Sequence, residues 1–331
     1  MKALQLIESG KLSIVEIDQP KLQNGQVLVK LKAAALNRRD LWIREGKYPN
    51  IHPNITLGSD GCGVVVEVND KINDQWLGKD VVINPNINWG DNPTVQSSEY
   101  SVLGMPVNGT FAEYIVVDVN RLVEQPAHLN DVQSAALPLG GLTAYRAIIK
   151  RGQLSPKSVV LISGFGGGVA QFAFQFAIAL GAKVYVTSGS KSKVQKAIEK
   201  GAINGFNYTN NNWAKEAKKI SGGFDIVIDS AGGDAINTFI KIMRPGGRII
   251  FYGATNGLPS EIDMYRMFWN QITLQGSTMG NDNEFLEMID FVSQHQLVPT
   301  VDSVRPFIEI IDAFDKIKAG NHVGKLVIDF N

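Results

Sequence analysis

The stretch Val159-Val160-Leu161-Ile162-Ser163-Gly164-Phe165-Gly166-Gly167-Gly168-Val169-Ala170 decides the fold. Its four β-type apolar residues make a strand buried on both faces. Gly164, Gly166, Gly167 and Gly168 then allow a tight turn and the close backbone approach that a phosphate needs. Val169, Phe172, Ala173, Phe176, Ala177 and Leu180 recur at helical spacing, and Gly181 supplies a left-handed stop. The free amides at such a helix start face an anion. A second strand, Ala182 to Thr187, completes the order of a βαβ unit built to hold a pyrophosphate. A flexible surface glycine loop is the alternative, and the ordered strand, turn, helix and strand weigh against it.

Outward from this turn the text has two rhythms. Up to about residue 125 it consists of short runs such as Gln26–Leu31, Gly63–Val68 and Asp80–Ile83, separated by turn residues, which predicts an irregular, largely antiparallel β domain. From about residue 131 helix and strand alternate. Helices are predicted at 135–150 and 169–180, and strands at 158–163, 183–187, 224–229, 248–252 and 272–275. This alternation implies a parallel sheet covered on both faces, with ligands at its carboxyl edge. After a helix at 283–294, residues 301–330 return to β text with one helix at 308–318 and complete the first domain. The expected domains are therefore 1–127 with 297–331, and 128–296.

With 331 residues, 44% of them apolar, the chain can bury two sizeable cores. Its 32 Lys and Arg balance 32 Asp and Glu, so no global field draws it to nucleic acid or to an anionic membrane. The stretch 1–10 is cut by charge before a signal-peptide core forms, and no apolar run approaches spanning length, so a cytoplasmic location is expected. The single cysteine, Cys62, cannot form an internal disulfide and lies between Gly61 and Gly63, where small-residue packing is its expected role. The four histidines, His52, His128, His295 and His322, show no ligand spacing.

Several motifs, in order and spacing, carry a resemblance across essentially the whole chain. They are Ala33-Ala34-Ala35-Leu36-Asn37-Arg38-Arg39-Asp40, Gly58-Ser59-Asp60-Gly61-Cys62-Gly63, Gly109-Thr110-Phe111-Ala112-Glu113-Tyr114 and Ala136-Leu137-Pro138-Leu139-Gly140-Gly141-Leu142-Thr143-Ala144-Tyr145. The glycine turn, Arg244-Pro245-Gly246-Gly247-Arg248 and Gly324-Lys325-Leu326-Val327 complete the set. The chain resembles the medium-chain dehydrogenase/reductase superfamily and, within it, the zinc-free quinone oxidoreductase-like branch. The resemblance implies an α/β fold, with a Rossmann doubly wound parallel sheet plus a GroES-like, mainly β catalytic domain, and an active site in the cleft between them. It also implies a homodimer paired at the sheet edge around Ile272–Ser277. Zinc-dependent relatives have a cysteine where this chain has Asn37, a histidine-glutamate pair where it has Ser59-Asp60, and a third ligand near Leu139. They also carry a four-cysteine lobe, whereas Asn84–Leu103 contains no cysteine. No metal is therefore expected.

An NAD-binding βαβ unit usually places an acid about 20 residues past the turn, on the ribose hydroxyls. Ser188 stands there instead. Hydroxyls and lysines suit a 2′-phosphate that a carboxylate would repel, and in the resembled branch a serine and a following lysine serve it. Ser188 or Ser190 with Lys193 match best, although Lys193, Lys196 and Lys200 also read as a solvated helix face. The expected cofactor is NADPH, held by Gly164, Phe165, Gly166, Gly167, Gly168, Val169, Ser188, Ser190 and Lys193. The resemblance adds Asn37 at the cofactor ribose, Thr143 and Gly253 near the nicotinamide, and Lys325 reaching the cofactor, with a plain strand-end lysine as the alternative.

A reductase without a metal works best on acceptors that delocalise charge themselves, such as quinones and α,β-unsaturated carbonyls. Tyr48 and Asn37 are the candidate catalytic donors to the developing anion. Asp40 reads as a general acid or, more simply, as a helix-start carboxylate, and Asp60 as a polar site residue or a turn cap. Trp89 and the segment 265–269 are candidate pocket walls. The function expected is NADPH-dependent, zinc-independent hydride transfer to a small apolar carbonyl or quinone, with no nucleic acid or membrane partner. An alcohol or aldehyde dehydrogenase, and an NADPH-binding or sensing protein with little turnover, are the alternatives.

Overall fold

The computed structural model describes residues 1–8, 10–69 and 71–330. Along the chain, β1 (Lys2–Glu8), β2 (Lys11–Glu16) and β3 (Gln26–Ala35) precede the short helix α1 (Arg38–Arg44). There follow β4 (Asp60–Val68), β5 (Asp80–Ile83), β6 (Asn86–Ile87), β7 (Ser101–Val102), β8 (Tyr114–Asp118), β9 (Leu122–Glu124), α2 (Asp131–Ala136) and α3 (Pro138–Tyr145). Strand and helix then alternate through β10 (Val159–Ile162), α4 (Gly168–Ala179), β11 (Lys183–Ser188), α5 (Lys191–Glu199), β12 (Asn204–Asn207) and α6 (Trp213–Ser221). The alternation continues with β13 (Phe224–Asp229), α7 (Ala235–Ile242), β14 (Met243–Phe251), α8 (Met264–Trp269) and β15 (Thr273–Gly276). The last elements are α9 (Asp282–Gln294), β16 (Val301–Pro306), α10 (Ile310–Ala319) and β17 (Lys325–Asp329).

The chain divides into two compact units, Met1–Gly140 with Asn281–Asn331, and Gly141–Gly280. In the first, a seven-stranded sheet runs β16-β17-β3-β4-β5-β9, with β8 also paired to β3. Strand β3 is its spine. Val27, Val29 and Leu31 join Val65, Val81, Ile83 and Ile115 in one core. At its other end Ala34 and Leu36 join Leu4, Leu41, Phe111 and Phe314 in a second core.

The second unit is a six-stranded parallel sheet in the order β12-β11-β10-β13-β14-β15. Strand order reverses between β10 and β13, so the carboxyl ends of these two strands flank the crevice where ligands of doubly wound sheets bind. All four residues of β10 are buried, as the apolar run demands. Among the described residues no helix is long and apolar enough to cross a membrane.

The structure departs from the sequence reading in two places. The helix predicted at 135–150 is broken: α2 ends at Ala136, and α3 starts at Pro138, whose missing N–H suits a first helical turn. Beyond Tyr145 the backbone continues as a π-helical turn to Arg151. The compact units also meet at 140/141 and 280/281 rather than at 127/128 and 296/297. Helix α2 packs on β3, β4 and β17. The start of α9 is tied to the first unit, because the Arg121 guanidinium donates to both Asp282 oxygens at 2.7 and 2.6 Å and the Asn84 amide to one at 2.9 Å.

The glycines of two motifs meet in the first unit. A Cβ on Gly109 would lie 1.9 Å from the Gly58 carbonyl oxygen, 2.6 Å from Gly104 Cα and 2.8 Å from Gly104 N, and all three contacts are backbone that cannot swing aside. Gly109→Ala is expected to destabilise the protein by about 2–3 kcal/mol through forced backbone movement, measured by urea unfolding.

Candidate functional site

At the carboxyl edge of the parallel sheet, Ser163 N–H donates to the Ile228 carbonyl at 3.0 Å, and Gly164 turns the chain at φ +65°. The Phe165 amide donates to Thr187 O at 2.9 Å, and the Gly166 and Gly167 amides both donate to Gly164 O, at 2.6 and 3.2 Å. These three amides are engaged in shaping the turn. The free ones belong to the first turn of α4, at Gly168, Val169 and Ala170, because a helix start has no internal acceptors and the N-cap, Gly167, has no side chain to offer one. A Cβ added at Gly164 or Gly167 would meet nothing nearer than 3.6 Å, so the space over the turn is open. This fits a pyrophosphate. The Phe165 ring is instead buried edge-on against Phe174 at 5.1 Å and serves the core.

Buried Asp229, at the end of β13, accepts from the Ser163 hydroxyl and from the Ala231 and Gly232 amides, at 3.1 and 2.7 Å for the amides. Burial pushes its carboxyl above the usual range. It thereby ties the β13 loop to the glycine turn. Gly253 lies just past β14, where a Cβ would come 2.9 Å from Ser230 O. Buried Thr143, on α3, directs its hydroxyl to Met279 Sδ at 3.7 Å.

Ser188 ends β11, and its buried hydroxyl accepts from the Ser190 amide at 3.2 Å. The Ser190 and Ser192 hydroxyls are 2.8 Å apart at the start of α5. That helix has no side-chain cap and no acid in its first turn, which carries Lys191 and Lys193. The Tyr208 phenol covers Gly189, where a Cβ would lie 2.8 Å from its oxygen; no local pattern marks this neighbour, which lies just past β12.

In the first unit, residues distant in sequence converge on one carboxylate. Lys325 Nζ donates to Asp60 Oδ2 at 2.8 Å and to Asn37 Oδ1 at 2.6 Å, and Asn37 Nδ2 donates to Asp60 Oδ2 at 2.8 Å. The Leu139 amide reaches Asp60 Oδ1 at 2.7 Å. Sheet register explains the meeting, because Ala35, two residues before the Asn37 cap, pairs with both Asp60 and Val327. Asp40 Oδ2 accepts the Asn37 backbone N–H at 2.7 Å, as a helix-start carboxylate does, while its Oδ1 is buried without a partner. Beside this group, Arg39 donates to Ser59 Oγ, Leu103 O, Met105 O and the Tyr48 oxygen.

Other sequence candidates have structural roles. Trp89 is buried edge-on against Tyr100 and donates to Asn92 O at 3.0 Å, so it holds its own loop rather than lining a pocket. On α8, Tyr265, Phe268 and Trp269 are 70%, 65% and 70% exposed, with Tyr265 edge-on to Phe268 and stacked on Trp269. The Cys62 thiol is buried, donates to Asp131 O at 3.0 Å, and is pushed up in pKa by burial.

Residues 23–127 match the model of the alcohol dehydrogenase GroES-like domain, and 168–294 that of the zinc-binding dehydrogenase. The zinc-type alcohol dehydrogenase-like protein YogA of Leptosphaeria maculans is 34% identical to this chain over 96% of it and 94% of that protein. The chain belongs to the medium-chain dehydrogenase/reductase superfamily. As such it is an oxidoreductase, and a nicotinamide dinucleotide is the cofactor expected of it. A zinc-type alcohol dehydrogenase-like protein of Schizosaccharomyces pombe is also 34% identical, over 93% of this chain and 92% of its own length. The crystal structure of an NAD-dependent alcohol dehydrogenase superposes with a TM-score of 0.92 over the full length of both chains, at 32% identity.

The zinc that such a family name implies does not suit the residues present. Among the described residues no three His, Cys, Asp or Glu side chains stand together as a metal-holding group. Asn37, Ser59, Asp60 and Leu139 bring neither thiolate nor imidazole. Both Asp60 oxygens are occupied, one of them by the Lys325 ammonium.

Asp40 gives this site a pH signature. Burial above all, and the nearby Asp60 charge, raise its carboxyl from 3.8 to about 6 against the opposing pull of Arg39, the Asn37 amide and Lys325. Folding favours the protonated form, so its stabilising contribution is full below about pH 4 and is lost as pH rises through about 6. Chemical denaturation across this window should show wild type losing about 2 kcal/mol relative to Asp40→Asn.

Proposed function

We propose that the protein is an NADPH-dependent, zinc-independent reductase of quinones or α,β-unsaturated carbonyls, working as a cytoplasmic homodimer. The observation that carries this reading is the Lys325 ammonium held between Asn37 and Asp60, which puts a built-in cation where zinc-dependent relatives keep their ligands. Without a Lewis acid, the acceptor itself has to delocalise the charge it receives.

The bound cofactor would supply the hydride. In this reading the α4 amides of Gly168, Val169 and Ala170 bind its pyrophosphate, while Thr143 and Gly253 border the nicotinamide. Ser188, Ser190 and Lys193 bind the 2′-phosphate. Support comes from α5, where Lys191 and Lys193 sit at the positive end of the helix dipole with no acid in that turn. Two cations there oppose the dipole by about 0.3–1 kcal/mol each, and a bound dianion reverses the sign. Tyr48 donates to the developing oxyanion, and Asn37 is fixed in one amide orientation by Lys325 and Asp60. The names of the relatives favour a second reading, an alcohol dehydrogenase using NAD. A binding or sensing protein with little turnover would retain the cofactor residues alone.

NADPH and NADH oxidation measured across quinones, enones, enoyl thioesters and aldehydes, with metal content on the same sample, separates these readings. The proposal expects NADPH-linked turnover with metal-free protein, and zinc-dependent alcohol oxidation would overturn it. Ser188→Asp should raise the NADPH KM by about tenfold or more while changing that for NADH little. For the dimer, the support is the exposed Tyr265, Phe268 and Trp269 patch beside β15, an edge strand with one unpaired side. Sedimentation should show a dimer that Trp269→Glu shifts toward monomer.

A further inference from the structure

We infer that Arg39 is a positioning residue that makes the Tyr48 hydroxyl a one-way hydrogen-bond donor to an anionic oxygen on the substrate; the inference rests on the reductase reading and names the group that serves it.

Arg39 is 9% exposed, yet all its hydrogen-bond partners are neutral: Ser59 Oγ at 2.5 Å, Leu103 O at 2.7 Å, Met105 O at 3.2 Å and the Tyr48 oxygen at 3.3 Å. Among the described residues no carboxylate lies within ion-pair distance of it. Its sequence neighbour Asp40 turns one oxygen to the Asn37 amide instead. The two charges attract, but a buried cation without a hydrogen-bonded carboxylate is costly to keep, and scaffolding two carbonyls does not require a charge.

The charge has a second use at Tyr48. The guanidinium carbon lies over the Tyr48 ring, 4.8 Å from its centroid, while Nε–H donates to the phenol oxygen. Ring face and oxygen are thus both held by one cation. Tyr48 is partly exposed, its ring packs on the Leu41, Leu57 and Phe111 core, and its hydroxyl proton has no acceptor among the described residues. With the oxygen accepting from a cation, the proton is directed away from it and strengthened as a donor. Ser59 completes the device: it accepts from Arg39 and passes its own proton to Leu103 O at 2.8 Å, so it clamps the guanidinium.

A donor so prepared suits acceptors that become oxyanions. When hydride adds to the β-carbon of an enone, the carbon–carbon π pair shifts and the carbonyl oxygen takes the negative charge. Tyr48 donates to that enolate oxygen without losing its proton. Solvent protonates the α-carbon, and NADPH departs as NADP⁺. A quinone gives the hydroquinone anion in the same way.

The test is a double-mutant cycle of Arg39→Gln, Tyr48→Phe and the pair, with Arg39→Lys as the charge-conserving control. Steady-state kcat and KM are read with an enone at saturating NADPH, NADPH binding by fluorescence, and thermal stability alongside. Binding of 4-nitrophenolate, an oxyanion probe read by absorbance, gives a cycle independent of turnover. Arg39→Gln should lower kcat by about tenfold with NADPH affinity retained, Arg39→Lys should recover part of this, and Arg39→Gln should add less than about twofold once Tyr48 is Phe. Additive losses in both cycles, or a fall in stability with kcat and probe binding unchanged, would overturn the role of Arg39. If wild type reduces no acceptor, the reductase reading fails, and coupling in the probe cycle still decides Arg39.

Discussion

One carboxylate, Asp60, joins four segments that are far apart in the chain. Its two oxygens receive the α1 cap through Asn37, the start of α3 through the Leu139 amide, and β17 through Lys325, while Asp60 itself opens β4. With both Asp60 and Lys325 almost wholly buried, the charges compensate each other or not at all. Removing one partner of such a pair typically costs about 3–5 kcal/mol, because the other is left stranded. The hydrogen bonds thus fix the mutual placement of Asn37, Asp40, Ser59 and Arg39, which follow from α1 and the first residues of β4.

The two units solve opposite electrostatic problems. The first pairs buried Asp60 with Lys325 and surrounds buried Arg39 with neutral acceptors, and Asp40 Oδ1 and the Tyr48 proton are among the groups it leaves without partners. The second gathers positive potential at the carboxyl edge of its sheet, from the amides opening α4 and the lysines opening α5. Its glycine turn is held in shape by its own amides, so an arriving anion meets donors already in position.

The legible parts of the sequence were those with strong local pattern. The run Val159–Ile162, the turn at Gly164 and the α4 periodicity lie where they were read. Proline chemistry broke the helix at 135–150, because the apolar pattern of Ala135 to Ile148 continues across Leu137-Pro138 while the backbone hydrogen bonds do not. The tie between Arg121 and Asp282 spans a wide sequence gap, and no local window contains both. Asn37, Asp60 and Leu139 were marked by resemblance, but their link to Lys325 follows from β17 lying beside β3, a long-range register. Arg39 carried no signal of its own, because its hydrogen-bond partners, all neutral, come from distant parts of the sequence.

The position of Lys325 also orders the birth of the fold. On a chain made from its N-terminus, Asp60 precedes Lys325 by the whole of residues 141–280, which hold all six strands of the parallel sheet and are free to assemble in the interval. The first unit lacks its internal counter-ion until β17, which follows the whole of residues 141–280, has been made. The unit begun first is therefore the one completed last.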